Sequence, residues 1–130
     1  MSNTALKFLV PCLLLATAAF AQGKADVKVG TAVEKHEVTG TSDSFKVAPN
    51  TRLYAGTKVS GVENANITVV FLKDGKEASK VELNVPRNPY RTHAYKTIRA
   101  GDSGAWTVKV LAPDGSEIGS SNFQVEVSDT

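Results

Sequence analysis

The sequence predicts an all-β fold, an immunoglobulin-like antiparallel β-sandwich of about seven strands preceded by a cleaved signal peptide. Two observations carry the sandwich. Past Gln22 the apolar residues recur with period two almost everywhere, as side chains alternating across a strand require. Turn signals interrupt that alternation about every 8 to 12 residues, the spacing of a sandwich and not of strand–helix units. A third observation places the chain. Lys7 precedes an apolar run over residues 8–20 that closes with Ala19-Phe20-Ala21, the pattern of a secretory signal peptide cut after small residues. The run falls short of the roughly 20 residues that cross a bilayer.

The domain reading is therefore a signal peptide over 1–21 and a single β-sandwich domain over 22–130, exported to the periplasm or beyond the cell, with no transmembrane segment in the mature chain. Cys12 is the one cysteine of the sequence and lies inside the leader. The mature domain has no disulfide to draw on, so its core alone must hold it together. Cys12 follows Pro11 in the middle of the apolar run, which disfavours a lipidated N-terminus.

The elements follow in order. Val27, Val29, Thr31 and Val33 alternate with Lys28, Gly30 and Ala32 as a first strand. Residues 34–44 are polar, contain Gly40, Ser42 and Asp43, and predict a connecting loop before Phe45 and Val47 return to the core. After the Pro49-Asn50 turn, Leu53, Ala55, Thr57 and Val59 form one face of a strand, with Tyr54 and Lys58 on the other. Residues 66–73 and 76–85 flank Asp74-Gly75, a pair that tolerates the positive φ of a tight hairpin turn. Pro86 and Pro89 bracket a corner, and residues 90–98 resume an extended pattern. The last hairpin sets Trp106, Val108 and Val110 against Phe123, Val125 and Val127, across Pro113-Asp114-Gly115 and the small residues 119–121.

Asp102, Gly104 and Trp106 have a spacing similar to the Asp-x-Gly-x-aromatic corner that leads into the sixth strand of many immunoglobulin-like domains. A tryptophan there buries a large ring while its indole N–H needs a partner, so Trp106 is expected in the core.

Taken together, Phe45, Arg52-Leu-Tyr54, Lys73-Asp-Gly-Lys76, the block Tyr90-Arg-Thr-His-Ala-Tyr-Lys-Thr-Ile98, Gly104-Ala-Trp-Thr-Val-Lys-Val110, Gly119 and Phe123-Gln-Val125 make a more particular pattern. Their order resembles DUF2914, a bacterial family found in exported or membrane-anchored envelope proteins. The resemblance runs over nearly the whole mature chain. It implies a sandwich and an envelope location, and it brings neither an activity nor catalytic residues.

Composition narrows the function classes. The chain holds 15 basic and 13 acidic residues, and loss of Lys7 with the leader brings these closer still, so nucleic acid is not an expected partner. An enzyme is not expected either. His36 and His93 are the two histidines, and neither sits in a nucleophile-elbow pattern. Two separated histidines are too few for a zinc site, no glycine loop joins a strand to a helix to cradle a phosphate, and the carboxylates are scattered over turns and outer faces. No metal or other cofactor is predicted.

One stretch departs from this pattern. Residues 87–99 carry Arg87, Arg91, His93, Lys96 and Arg99 with Tyr90 and Tyr95 among them, and no acid. In a strand, Ala94 and Ile98 mark the inner face, which leaves Arg91, His93 and Tyr95 as an outward stripe. Such a stripe can hold a carboxylate or phosphate in an arginine fork while tyrosine stacks on a sugar. The expected function is a monomeric, non-catalytic binding or structural module acting on an anionic envelope polymer through Arg91, His93, Tyr95 and Arg87. The alternative is an interaction module that pairs with an envelope protein through an exposed strand edge, either residues 76–85 or the first strand.

Overall fold

The computed structural model describes residues 23–128. The predicted signal peptide lies outside the described residues. Among the described residues ten strands follow one another: β1 (Lys24–Gly30), β2 (Ala32–Glu34), β3 (Glu37–Thr39), β4 (Ser44–Val47), β5 (Thr51–Ser60), β6 (Ala65–Lys73), β7 (Lys76–Val85), β8 (Tyr90–Ile98), β9 (Gly104–Leu111) and β10 (Glu117–Val127). Seven have seven or more residues, the number expected, and β2, β3 and β4 are short. No helix occurs among the described residues, and so none is long and apolar enough to cross a membrane.

The strands form an immunoglobulin-like sandwich of two sheets, ordered β4-β10-β9-β6-β7 and β1-β5-β8. Every neighbouring pair is antiparallel except β4 with β10, which run parallel from Ser44 opposite Gln124 to Val47 opposite Val127. The inward residues of each sheet meet in one core of Leu53, Val59, Ile67, Phe71, Val85, Ile98, Trp106, Val108 and Val110 with their neighbours. As the alternation predicts, Leu53, Ala55, Thr57 and Val59 are all buried. At the entry to β9, the indole N–H of Trp106 donates to the Asp102 carbonyl at 2.8 Å, and the Asp102 carboxylate accepts the Arg99 N–H at 2.8 Å. The corner thus supplies the partner that a buried tryptophan needs. In the β9–β10 turn, the backbone N–H and hydroxyl of Ser116 both donate to Asp114 and hold its carboxyl below the usual aspartate range.

The structure corrects the sequence at two places. The first strand ends at Gly30, and residues 34–44 are not a plain loop. They supply the turn and second arm of a hairpin, β2 paired with β3 from Ala32 opposite Thr39 to Glu34 opposite Glu37. Its turn residues Lys35 and His36 both take positive φ, 51° and 68°, as a two-residue hairpin requires. Neither is a residue that advertises that conformation, so the turn carried no local signal. Second, residues 119–121 lie inside β10 and not in its turn. Gly119 is small because the backbone carbonyl of Ala25 on β1 lies where a Cβ would be, which lets the two sheets approach on that side. Both strands expected at an edge, β7 and β1, end their sheets, and β1 is in addition flanked across the sheets by β10 at Gly119.

The hairpin lies on the outer face of the three-stranded sheet. Val38 is buried there, 7 % exposed, over Gly56 of β5. A Cβ at Gly56 would sit 2.5 Å from Val38 Cγ2. Gly56→Val is expected to lift the hairpin at a cost of about 1–3 kcal/mol, the usual range for overpacking. Hydrogen exchange tests this: protection of Thr31, whose N–H donates to Thr39 at 3.0 Å, should fall while β9 stays protected.

Candidate functional site

The outer face of the β1-β5-β8 sheet gathers the predicted residues. Pairing of β5 with β8 sets Arg52 opposite Thr97, Tyr54 opposite Tyr95, Gly56 opposite His93 and Lys58 opposite Arg91. Pairing of β1 with β5 then adds Lys28 opposite Gly56 and Asp26 opposite Lys58. Because these are the outward members of three alternating strands, they share one surface.

At one end of that surface is an aromatic shelf. The Tyr54 ring lies 6.0 Å from Tyr95 and 6.1 Å, edge to face, from His93. The Arg52 guanidinium sits 4.4 Å from the centre of the Tyr95 ring, a cation–π contact. Tyr95 is the exposed large hydrophobic residue of the described chain, at 46 %. Such a shelf offers flat ring faces with a fixed cation beside them, which suits a ring-bearing, negatively charged ligand.

At the other end, the hairpin tip meets β8. Arg91 Nη1 lies 3.4 Å from Glu37 Oε2. Arg87, in the corner between β7 and β8, has its guanidinium 5.2 Å from the centre of the Tyr90 ring. Lys35, His36, Glu37, Arg87, Pro89, Tyr90 and Arg91 line a depression of about 360 Å³. A second, of about 280 Å³, shares His36, Glu37 and Arg91 with it and continues beside Lys28, Gly56 and Lys58. Among the described residues no three His, Cys, Asp or Glu side chains gather into a group that could hold a metal.

Arg91, His93 and Tyr95 thus point outward together, as their alternation in the strand predicts, while Arg87 joins Arg91 at the hairpin end. Sequence reasoning missed Arg52, Tyr54, Lys28, Lys58, His36 and Glu37 as members of the same surface. The outward side of β5 was legible from its period, but its pairing with β8 was not.

Residues 64–125 match the model of a protein family. The family is DUF2914, described as a protein of unknown function. The DUF2914 match begins at the end of the loop before β6 and runs into β10, so it contains β8 and the stripe but not β5 or the hairpin. No curated protein matches the chain in sequence. Among solved structures, the chain is similar to the CARDB domain of a Pyrococcus furiosus protein in complex with di-metal ions, at 12% identity and a TM-score of 0.46, over 82% of this chain and 87% of that one. It is also similar to the Pseudomonas fluorescens alkylpurine DNA glycosylase AlkC bound to DNA containing an abasic site analog, at 14% identity and a TM-score of 0.47. That match covers 81% of this chain, which spans 30% of the glycosylase chain.

Proposed function

We propose that this DUF2914 protein is a monomeric, single-domain, non-catalytic binding module of the bacterial envelope, exported by its N-terminal segment to the periplasm or beyond. It holds an anionic envelope component, such as a peptidoglycan or lipopolysaccharide glycan, on the outer face of the β1-β5-β8 sheet. The observation that carries this reading is the exposed Tyr54–Tyr95–His93 shelf with Arg52 over one ring and Arg91 on the same strand. Aromatic faces take sugar rings, and the arginine forks take carboxylates or phosphates.

A second reading, pairing with an envelope protein through a strand edge, draws on β7 and β8. Both end their sheets, and they face each other across a groove lined by Val81, Leu83 and Ala94. Two features work against it. The register of β7 slips by one residue opposite Phe71 and Leu72, and Lys96 lies among the groove residues on the inner face of β8. Bulges and inward-pointing charges are the devices that keep edges unpaired.

The test is a pull-down from envelope extract, comparing wild type with Arg91→Ala/His93→Ala at low and moderate salt. The partner should be lost in the double variant and weakened by salt, because exposed charges are screened within about 8 Å at physiological ionic strength. A partner retained in every condition overturns this reading and moves the site to the β7 edge.

A further inference from the structure

We propose that the depression between the hairpin tip and the β7–β8 corner is a carboxylate subsite, and that Glu37 occupies it in the free protein. This rests on the sugar-binding reading of the same face and names its ligand class: a linear saccharide bearing carboxylates, running along β8.

Three full cations, Lys35, Arg87 and Arg91, line the depression against one carboxylate, that of Glu37. Glu37 comes from a different sheet element, delivered by the β2–β3 hairpin, and reaches Arg91 at 3.4 Å. The hairpin is itself anchored, by Val38 on Gly56 and by the Thr31–Thr39 hydrogen bond, so the backbone that carries Glu37 is held in position. Glu37 therefore shows what chemistry Arg91 accepts. Its hold is weak. The two side chains are 56 % and 43 % exposed, and solvated pairs of this kind are readily exchanged for another carboxylate. Arg87 adds a second guanidinium, free of any acid at ion-pair distance among the described residues, so an incoming carboxylate gains a partner that Glu37 does not use.

The spacing sets the ligand's length. Arg91 and Tyr95 are four residues apart on β8, about 13 Å at the rise of a strand. One sugar ring cannot both stack on Tyr95 and place its carboxylate at Arg91. A chain of several sugars can, with His93 between the two contacts.

The experiment titrates the protein with oligogalacturonate and with a neutral chitin oligomer of matched length, by calorimetry. Wild type should prefer oligogalacturonate. Glu37→Gln should bind it about two- to five-fold more tightly, the worth of a competing surface pair, and Arg91→Ala at least about ten-fold more weakly, as loss of a charged hydrogen bond predicts. Adding Glu37→Gln to Arg91→Ala should give no gain, because the competition it relieves is for Arg91. An unchanged affinity in Glu37→Gln, or an equal gain in the Arg91→Ala background, overturns the subsite. If Tyr95→Ala weakens binding while Glu37→Gln and Arg91→Ala leave it unchanged, or the neutral oligomer binds as well, the subsite fails and the sugar-binding face stands. If neither oligomer nor envelope glycan binds wild type, both readings fall.

Discussion

Trp106→Ala should destabilise the protein by about 3–5 kcal/mol, the range for truncating a buried aromatic. Small domains hold only about 5–15 kcal/mol in all, so this one change removes a large fraction of the total. Trp106 is 1 % exposed and stacks on Phe123 with ring centres 6.1 Å apart and planes 22° from parallel. Phe123 in turn meets Phe45 edge to face at 6.0 Å. The loss therefore spreads from β9 through β10 to β4. Trp106→Phe separates the packing from the hydrogen bond. It keeps a ring but leaves the Asp102 carbonyl without its indole donor, and should cost about 1–3 kcal/mol. Urea unfolding with an unchanged slope checks both values. A loss under about 1 kcal/mol for the alanine variant would mean that the corner is not a keystone of the core.

The largest effect on binding is expected from the aromatic shelf. Tyr95→Ala removes the exposed ring, its contact with Tyr54 and the seat of the Arg52 guanidinium in one substitution. A central aromatic anchor is typically worth about 2 kcal/mol or more, so affinity for envelope glycan should fall by about thirty-fold. Tyr95 lies outside the core, and thermal stability should hardly move. Sedimentation with isolated envelope polymer reads the affinity, and a thermal melt reads the fold. Binding unchanged in Tyr95→Ala and also in Tyr54→Ala would remove the shelf from the site.

Much of this architecture was legible along the chain. The bounds of β7 and β8 match the alternating runs at residues 76–85 and 90–98, and the Asp74-Gly75 turn has the positive φ, 50° and 83°, that its residues suggest. Asp102, Gly104 and Trp106 announced a buried corner, and Trp106 is buried. The hairpin of β2 and β3 was not legible. Its arms have three residues each, too short to show a period, and Lys35-His36 adopts a turn that more permissive residues usually mark.

The same contrast governs the candidate site. The sequence by itself determined the longer strands, their inner and outer faces and the stripe of Arg91, His93 and Tyr95, because the alternation of a strand is a local property with period two. Only the tertiary structure decided that Tyr54 lies opposite Tyr95, that Arg52 covers that ring and that Glu37 reaches Arg91. Those neighbours lie 40 or more residues apart along the chain. Which strands pair, and in what register, is set by the fit of two sheets around one core, with Gly119 leaving room for the Ala25 backbone and Gly56 for the Val38 side chain of the hairpin.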